Sequence, residues 1–370
     1  MDICILSMQE VNNMGSLLQS YALKKILEEM GHNIFFLEIK KIDADYELLG
    51  SYRMNFCKEQ EKRGITGKLS KLDRYILNRL QIKQKYKNQN ELFALFRRNN
   101  LCIDRVKEEY DVCIIGSDEV FNCLNAGYWG FSSQLFGNVP EAKKVITYAA
   151  SCGATSYNML PQPVADRICS AIKNISAISV RDDNTRDFVN HFIENRTWIN
   201  LDPVLIYDFQ REIEDAEIPF LPPKYCVVYS YINRIHEREE IDAICSFCES
   251  RNLVPVALGA PQFWCKRYIP CSPFECLKLF QNADCVITDT FHGTIMSAIT
   301  RRQFVTVIRD SNRNKLRDLL SRLGLEDREC YEFNELKKIM SKPIDYKLVD
   351  EIREKESVRS RTYLNEAIES

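Results

Sequence analysis

One histidine in this sequence stands where chemistry is easily built. It lies in Thr288-Asp289-Thr290-Phe291-His292-Gly293-Thr294, directly behind the apolar, β-branched run Cys285–Thr288, and Ile295, Met296 and Ile299 then recur at helical spacing. The pattern predicts strand, tight turn and helix, with Asp289 and Thr290 both good N-cap types. His292 then occupies the first turn of a helix just past a strand end, where unpaired backbone N–H groups and the helix dipole favour anions. Gly293 lets a ligand come close to the backbone, and an imidazole takes up and gives off protons near neutral pH. A lone histidine at a helix start also serves as a plain hydrogen-bonding group, so chemistry needs further residues.

Three other strand ends supply candidates. Residues 112–115 form an apolar strand that runs out into Gly116-Ser117-Asp118-Glu119, where Asp118 can bind or deprotonate a hydroxyl or can simply hold the turn. Residues 178–180 form a short strand ending at Arg181, whose planar fork suits a carboxylate or phosphate, unless it only pairs with Asp182 or Asp183. Asn12, Asn13 and Gly15 stand at the start of the first helix. They offer amide donors and a flexible backbone to an anionic or hydroxylated ligand, or a turn for purely conformational reasons.

The elements that must position these groups alternate regularly. The chain opens with a strand at 3–6, a polar loop at 7–14, a helix at 15–30 stopped by Gly31, and a strand at 34–39. That βαβ unit lacks the G-x-G-x-x-G fingerprint, so no nicotinamide or flavin cofactor is expected. Residues 43–108 interrupt the alternation with helices at 68–87 and 90–99; from 51 to 108 there are 15 Lys+Arg against 6 Asp+Glu. Strands resume at 112–115, within 142–151 and at 178–180, a helix carrying Phe188 and Phe192 follows, and 201–207 closes the first half. Residues 208–224, acidic and ending in Leu-Pro-Pro, read as a linker. The second half has strands at 225–231, 254–258, 285–288 and 304–308 and helices at 237–251 and 274–281. Strand, helix and strand around His292 imply a right-handed crossover in a parallel sheet. A last amphipathic helix at 345–368 is long enough to cross back onto the first half. The fold class is α/β, with two Rossmann-like domains facing across a cleft, resembling the GT-B architecture. The expected domains are 1–210, with a basic helical insertion at about 45–108, then 211–345, then 346–370 as the returning helix.

Composition fits this picture. The chain has 370 residues, 45% of them hydrophobic, enough for two ordinary cores. No apolar run approaches the roughly 20 residues that span a bilayer, and Met1 leads straight into a strand without a signal pattern, so a cytoplasmic location is expected. The 15 cysteines are scattered, many in apolar strands, as reduced buried thiols would be. Cys245 and Cys248 form a lone Cys-x-x-Cys pair, read as helix packing, and the four histidines at 32, 191, 236 and 292 lack ligand spacing. No metal site and no nucleic-acid partner are expected.

Taken together and in order, the motifs resemble the polysaccharide pyruvyl transferase family. They are Asn12-Asn13-Met14-Gly15 with Leu18-Gln19-Ser20-Tyr21-Ala22-Leu23 behind it, Ile115-Gly116-Ser117-Asp118-Glu119-Val120-Phe121-Asn122, Tyr148-Ala149-Ala150-Ser151, Ile178-Ser179-Val180-Arg181, Asp202-Pro203 and the His292 heptapeptide. The resemblance runs from residue 1 to about 325. It implies a transferase that moves enolpyruvate from phosphoenolpyruvate, as co-substrate rather than cofactor, onto two hydroxyls of a sugar as a cyclic ketal during polysaccharide biosynthesis. His292 and Asp118 are then the acid/base candidates. Arg181, Thr290, Gly293 and Thr294 would meet the donor, and Asn12, Asn13, Gly15, Gly116 and Ser117 would form the acceptor side or its loops. Some family members carry Arg two residues before the motif histidine; this chain has Thr290 and follows a branch reading Thr-Asp-Ser-Phe-His-Gly-Thr almost letter for letter. Arg309 and Lys315, near the same strand ends, are the replacement cations. Acceptors in this chemistry are often sugars on a polyprenyl diphosphate, so the basic segment is expected to meet that diphosphate or the inner membrane face. A nucleotide-sugar glycosyltransferase of GT-B type and a non-catalytic sugar-binding protein of an assembly complex are the other readings.

Overall fold

The computed structural model describes residues 1–49, 72–124, 129–194, 197–232, 234–265 and 267–370, the side chains of 72–83 excepted. Much of the basic segment, residues 50–71 with the side chains of 72–83, therefore lies outside the described residues.

Two parallel six-stranded sheets carry the fold. The first contains β1 (Asp2–Leu6), β2 (Asn33–Phe36), β3 (Tyr110–Asp118), β4 (Ala142–Ala150), β5 (Ile175–Val180) and β6 (Thr197–Ile199), in the order β2-β1-β3-β4-β5-β6. The second contains β7 (Tyr225–Tyr229), β8 (Val254–Leu258), β9 (Arg267–Tyr268), β10 (Cys285–Thr288), β11 (Phe304–Val307) and β12 (Glu329–Cys330), in the order β12-β11-β10-β7-β8-β9. This is the α/β, two-domain, GT-B-like arrangement that the alternation predicts. Central strands read as unbroken apolar runs because helices cover both faces of a parallel sheet; β7 and β10 are buried along their whole length. In each sheet the chain reverses direction across one strand pair, β1 with β3 and β7 with β10. Such switch points leave a crevice at the strands' carboxyl ends.

The helix Met14–Glu29 sits between the sheets, and so it is buried on nearly every side from Met14 to Lys24 rather than along one stripe. Its buried polar residues are satisfied: Gln19 bonds Ser7, Ser20 and Ser117. One hydrophobic core, with Leu17 and Tyr21 from this helix and Val227, Phe280 and Ile295 from the second half, runs through both halves. The terminal helix Tyr346–Glu369 reaches back to the first half, where Tyr363 donates to Thr147 O of β4 at 2.9 Å and Arg353 to Leu205 O at 3.0 Å.

Several elements differ from expectation. Residues 201–207, which close the first half, hold a short helix, Pro203–Ile206, and strand β6 precedes it where no strand was expected. The expected linker carries a helix, Gln210–Asp215, because Ile213 is buried and Glu212 accepts from Tyr21 and Tyr207. The two helices expected after residue 68 are one, Leu72–Phe96, which continues to Leu101 as a π-helical turn. This long helix straps the halves together. Fully buried Gln89 donates to Cys271 O at 2.8 Å and accepts from Cys271 N at 3.1 Å, while Phe96 stacks edge-on against Phe274 with centroids 5.0 Å apart. Gln89→Ala leaves two buried backbone groups unpaired, a cost on the order of 1–3 kcal/mol. Its urea midpoint is expected to fall clearly below wild type, and an unchanged midpoint would show that the strap contributes nothing.

Candidate active site

The switch-point crevices of the two sheets face each other, and the candidate residues collect between them. At the end of β3 a side chain on Gly116 (φ +130°) would come within 2.1 Å of Tyr148 O, so this turn requires glycine. It sets Asp118 to accept from Ser16 Oγ at 2.7 Å. At the end of β5, Arg181 is 3% exposed; its Nη1 lies 3.1 Å from Asp202 Oδ2 and 3.5 Å from Asp118 Oδ1. Asp202 caps the helix Pro203–Ile206. From the other half, the His292 helix, Phe291–Ile299, brings Phe291 beneath the Arg181 guanidinium, 4.0 Å from the ring centroid. His292 Nε2 stands 3.5 Å from Asp202 Oδ2. A line of groups, buried except for part-exposed Asp118, thus runs Ser16, Asp118, Arg181, Asp202, His292.

The electrostatics follow from that line. Burial alone would raise the Asp202 carboxyl pKa, but His292, Arg181 and the Val204 N–H outweigh it and hold the group below the ordinary carboxylate range. Asp202 is therefore ionised at neutral pH, behind both the arginine and the histidine. His292 Nε2 and Arg181 Nε are buried without a hydrogen-bond partner, which marks both as groups that a ligand could satisfy.

His292 is also held sterically. An added Cβ on Gly15 would lie 2.1 Å from the imidazole Cγ and Nδ1. The ring therefore packs directly on the first turn of the helix Met14–Glu29, and Gly15 is needed for its fit.

The other expected residues sit nearby in defined settings. Asn13 caps the helix Met14–Glu29, accepting from Gly15 N at 2.8 Å, and Asn12 bonds Asn90 and Arg97. Ser117 is fully buried and donates to Gln19 at 2.8 Å. Thr290 caps its helix by accepting from Gly293 N at 2.9 Å, and Thr294 donates to Thr290 O at 3.0 Å. The space beside Gly293 is filled from within: a Cβ there would meet Thr288 Oγ1 at 2.1 Å and Thr290 Oγ1 at 2.7 Å. Arg309 is engaged by Asp289 at 3.1 Å and Glu240 at 2.7 Å. Lys315 reaches across the halves to Glu119, 2.9 Å away. Burial would raise the Glu119 pKa, but Lys315 and Asn122 bring it down to about 2.

Beside His292 opens a cleft enclosing about 620 Å³ of free space, its open mouth included. The loop after β1 (Asn12 to Met14), the ends of β7 and β8, Thr290, His292 and the strap residues Tyr86 and Phe93 line it.

With this geometry in view, comparison with known proteins is informative. A family model of polysaccharide pyruvyl transferases matches residues 13–311. The chain belongs to the polysaccharide pyruvyl transferase family. A search of curated proteins returns no match. Among solved structures, the UDP-GlcNAc 2-epimerase of Methanocaldococcus jannaschii in complex with UDP-GlcNAc and UDP is 13% identical, with a TM-score of 0.48, 98% of this chain and 100% of that one being covered. The glycotransferase of kitacinnamycin is 12% identical with a TM-score of 0.46, over 99% and 97% of the two chains. The pyruvyl transferase family is thus shown by the chain's own sequence.

Sequence reading gave no role to three groups of the candidate site in this family member. Asp202 carried a signal, the Asp202-Pro203 pair, but only the fold shows that it faces both Arg181 and His292. Glu119 likewise lay inside a motif, and Ser16 carried no signal; their partners Lys315 and Asp118 come from distant parts of the chain.

Two outcomes are expected. Gly15→Ala drives a methyl group into the imidazole, an overpacking cost of roughly 1–3 kcal/mol, so it should lower the melting temperature and, by displacing His292, lower turnover of the folded variant at least about tenfold, a barrier change of ~1.4 kcal/mol; full activity in a folded variant would show that the ring contact is immaterial. Glu119, with its folded pKa depressed, contributes stability above its unfolded value of about 4.3. That contribution should be lost as pH falls toward about 2. Acid titration of wild type beside Glu119→Gln tests this, since the variant's stability should depend less on pH across that window.

Proposed function

We propose that this chain takes enolpyruvate from phosphoenolpyruvate and joins its C2 to two hydroxyls of a sugar, as a cyclic ketal, in making a cell-surface polysaccharide. What carries the reading is the largely buried line Asp118, Arg181, Asp202 and His292, drawn from both halves, with unpartnered nitrogens on Arg181 and on His292, the latter lining the cleft.

The reaction requires one sugar hydroxyl to add to C2 while a proton reaches C3. The C2–O bond to phosphate then breaks, and the second hydroxyl adds to C2 to close the ring. Of the two hydroxyl protons, the balance places one in the new methyl group and the other on the departing phosphate. Asp118, oriented by Ser16 and Arg181, suits the first hydroxyl as base or anchor. His292 suits proton transfer at the donor, with Asp202 at 3.5 Å stabilising the imidazolium whenever it forms. Arg181 Nε and Lys315 supply positive charge for the donor's carboxylate and phosphate. Thr290, a neutral side chain, brings no charge here, and its hydroxyl caps the helix.

Thermal-shift titration decides among readings. Phosphoenolpyruvate at 100 times its dissociation constant should add about 2.7 kcal/mol of stability, to wild type and to His292→Ala alike, while phosphate release with sugar is lost in the variant. Stabilisation by a nucleotide diphosphate and not by phosphoenolpyruvate would turn the reading to a glycosyltransferase. Silence from every anion would turn it to a non-catalytic sugar-binding protein.

A further inference from the structure

The cleft beside His292 has a wall unlike the charged line behind it. Of the side chains lining it among the described residues, His292 alone is a basic type and none is acidic. A trianionic donor gains nothing from such a wall, and a carboxylated or phosphorylated sugar would lose hydration there without a cation in return. Three large apolar side chains stand open in the same cleft: Tyr86 is 36% exposed, Tyr231 44% and Ile232 45%. Clustered exposure of this kind marks a binding surface. Tyr86 comes from the strap helix and Tyr231 from the end of β7, so the wall draws on both halves. The Tyr231 ring is backed by the Arg234 guanidinium, 5.5 Å from its centroid. Between the aromatic groups lie hydrogen-bonding groups, and Ser230 Oγ is buried with no partner.

We infer that this wall is the acceptor subsite and takes an uncharged glycosyl unit, with Tyr231 and Tyr86 as the surfaces that set acceptor specificity. A pyranose has an apolar C–H face for an aromatic ring and an edge of hydroxyls for Ser230, Asn12 and His292. The inference rests on the transferase reading for the word acceptor, and its occupant is separable from that reading by experiment. A nucleobase is the other flat ligand an aromatic wall accepts, and the test includes it.

Binding of neutral disaccharide glycosides to the full chain is measured by saturation-transfer NMR, beside hexuronates and uridine monophosphate. Neutral glycosides should bind. Tyr231→Ala and Tyr86→Ala should each weaken them about tenfold, with phosphoenolpyruvate binding within about twofold and Tyr231→Phe close to wild type. Preference for hexuronate or for the nucleotide, no binding of any neutral glycoside, or glycoside binding unchanged in both tyrosine variants each overturns the inference. Tyrosine-dependent glycoside binding without phosphate release from phosphoenolpyruvate sustains the subsite and removes the transferase reading. Phosphate release with an unchanged acceptor KM in both variants does the reverse.

Discussion

A single buried guanidinium organises this site. Arg181 is almost wholly withdrawn from water, and its charge is met by Asp118 on one side, Asp202 on the other and the Phe291 face below. Taking one partner from such a buried set costs roughly 3–5 kcal/mol, because the charge left behind is unpaired. The three groups are therefore fixed relative to one another. Asp202 also faces His292, so the position of the histidine is tied to the same arginine. The backbone joins in: Arg322 from the second half donates to Arg181 O at 2.8 Å. One residue thus sets the spacing between a carboxylate of the first half and an imidazole of the second.

The placement of that residue follows from topology. In each sheet the chain runs to one side of a central strand and later returns on the other, and the loops at the reversal splay apart. Asp118 ends one strand of these two reversing pairs, and Asn13, Ser230 and His292 follow the others. A parallel sheet thus gathers functional side chains at one edge, while the apolar strands supply the rigidity that holds them there.

Some of this was legible in the chain and some was not, for physical reasons. The strand–turn–helix around His292 was readable because its signals are local: a β-branched run, cap residues and a helical repeat. The line from Asp118 to Arg181 to Asp202 joins residues that lie far apart in the sequence, so only the fold reveals it. Gly293 illustrates how a local rule misdirects. The glycine was read as room for a ligand, but Thr288 and Thr290 fill that room. Gly15, read as flexible loop, is where the imidazole of the other half packs. Strands β9 and β12 have two residues each, too short for any periodicity to show.

Residues from both halves complete the site, which raises the question of how far the halves can separate. Interfaces between domains move freely when they are small and polar. Here one apolar core is continuous from Leu17 and Tyr21 through Val227 and Ile295 to Leu364, and the strap helix, the Lys315–Glu119 pair and the returning terminal helix cross the boundary as well. Opening the molecule like a hinge would expose that core to water and take Phe291 and Arg322 away from Arg181. The interface therefore favours a preassembled site, reached through the mouth of the cleft past Tyr86 and Tyr231. Charge buried behind a neutral aromatic opening keeps the reacting groups dry, which strengthens every electrostatic contact among them.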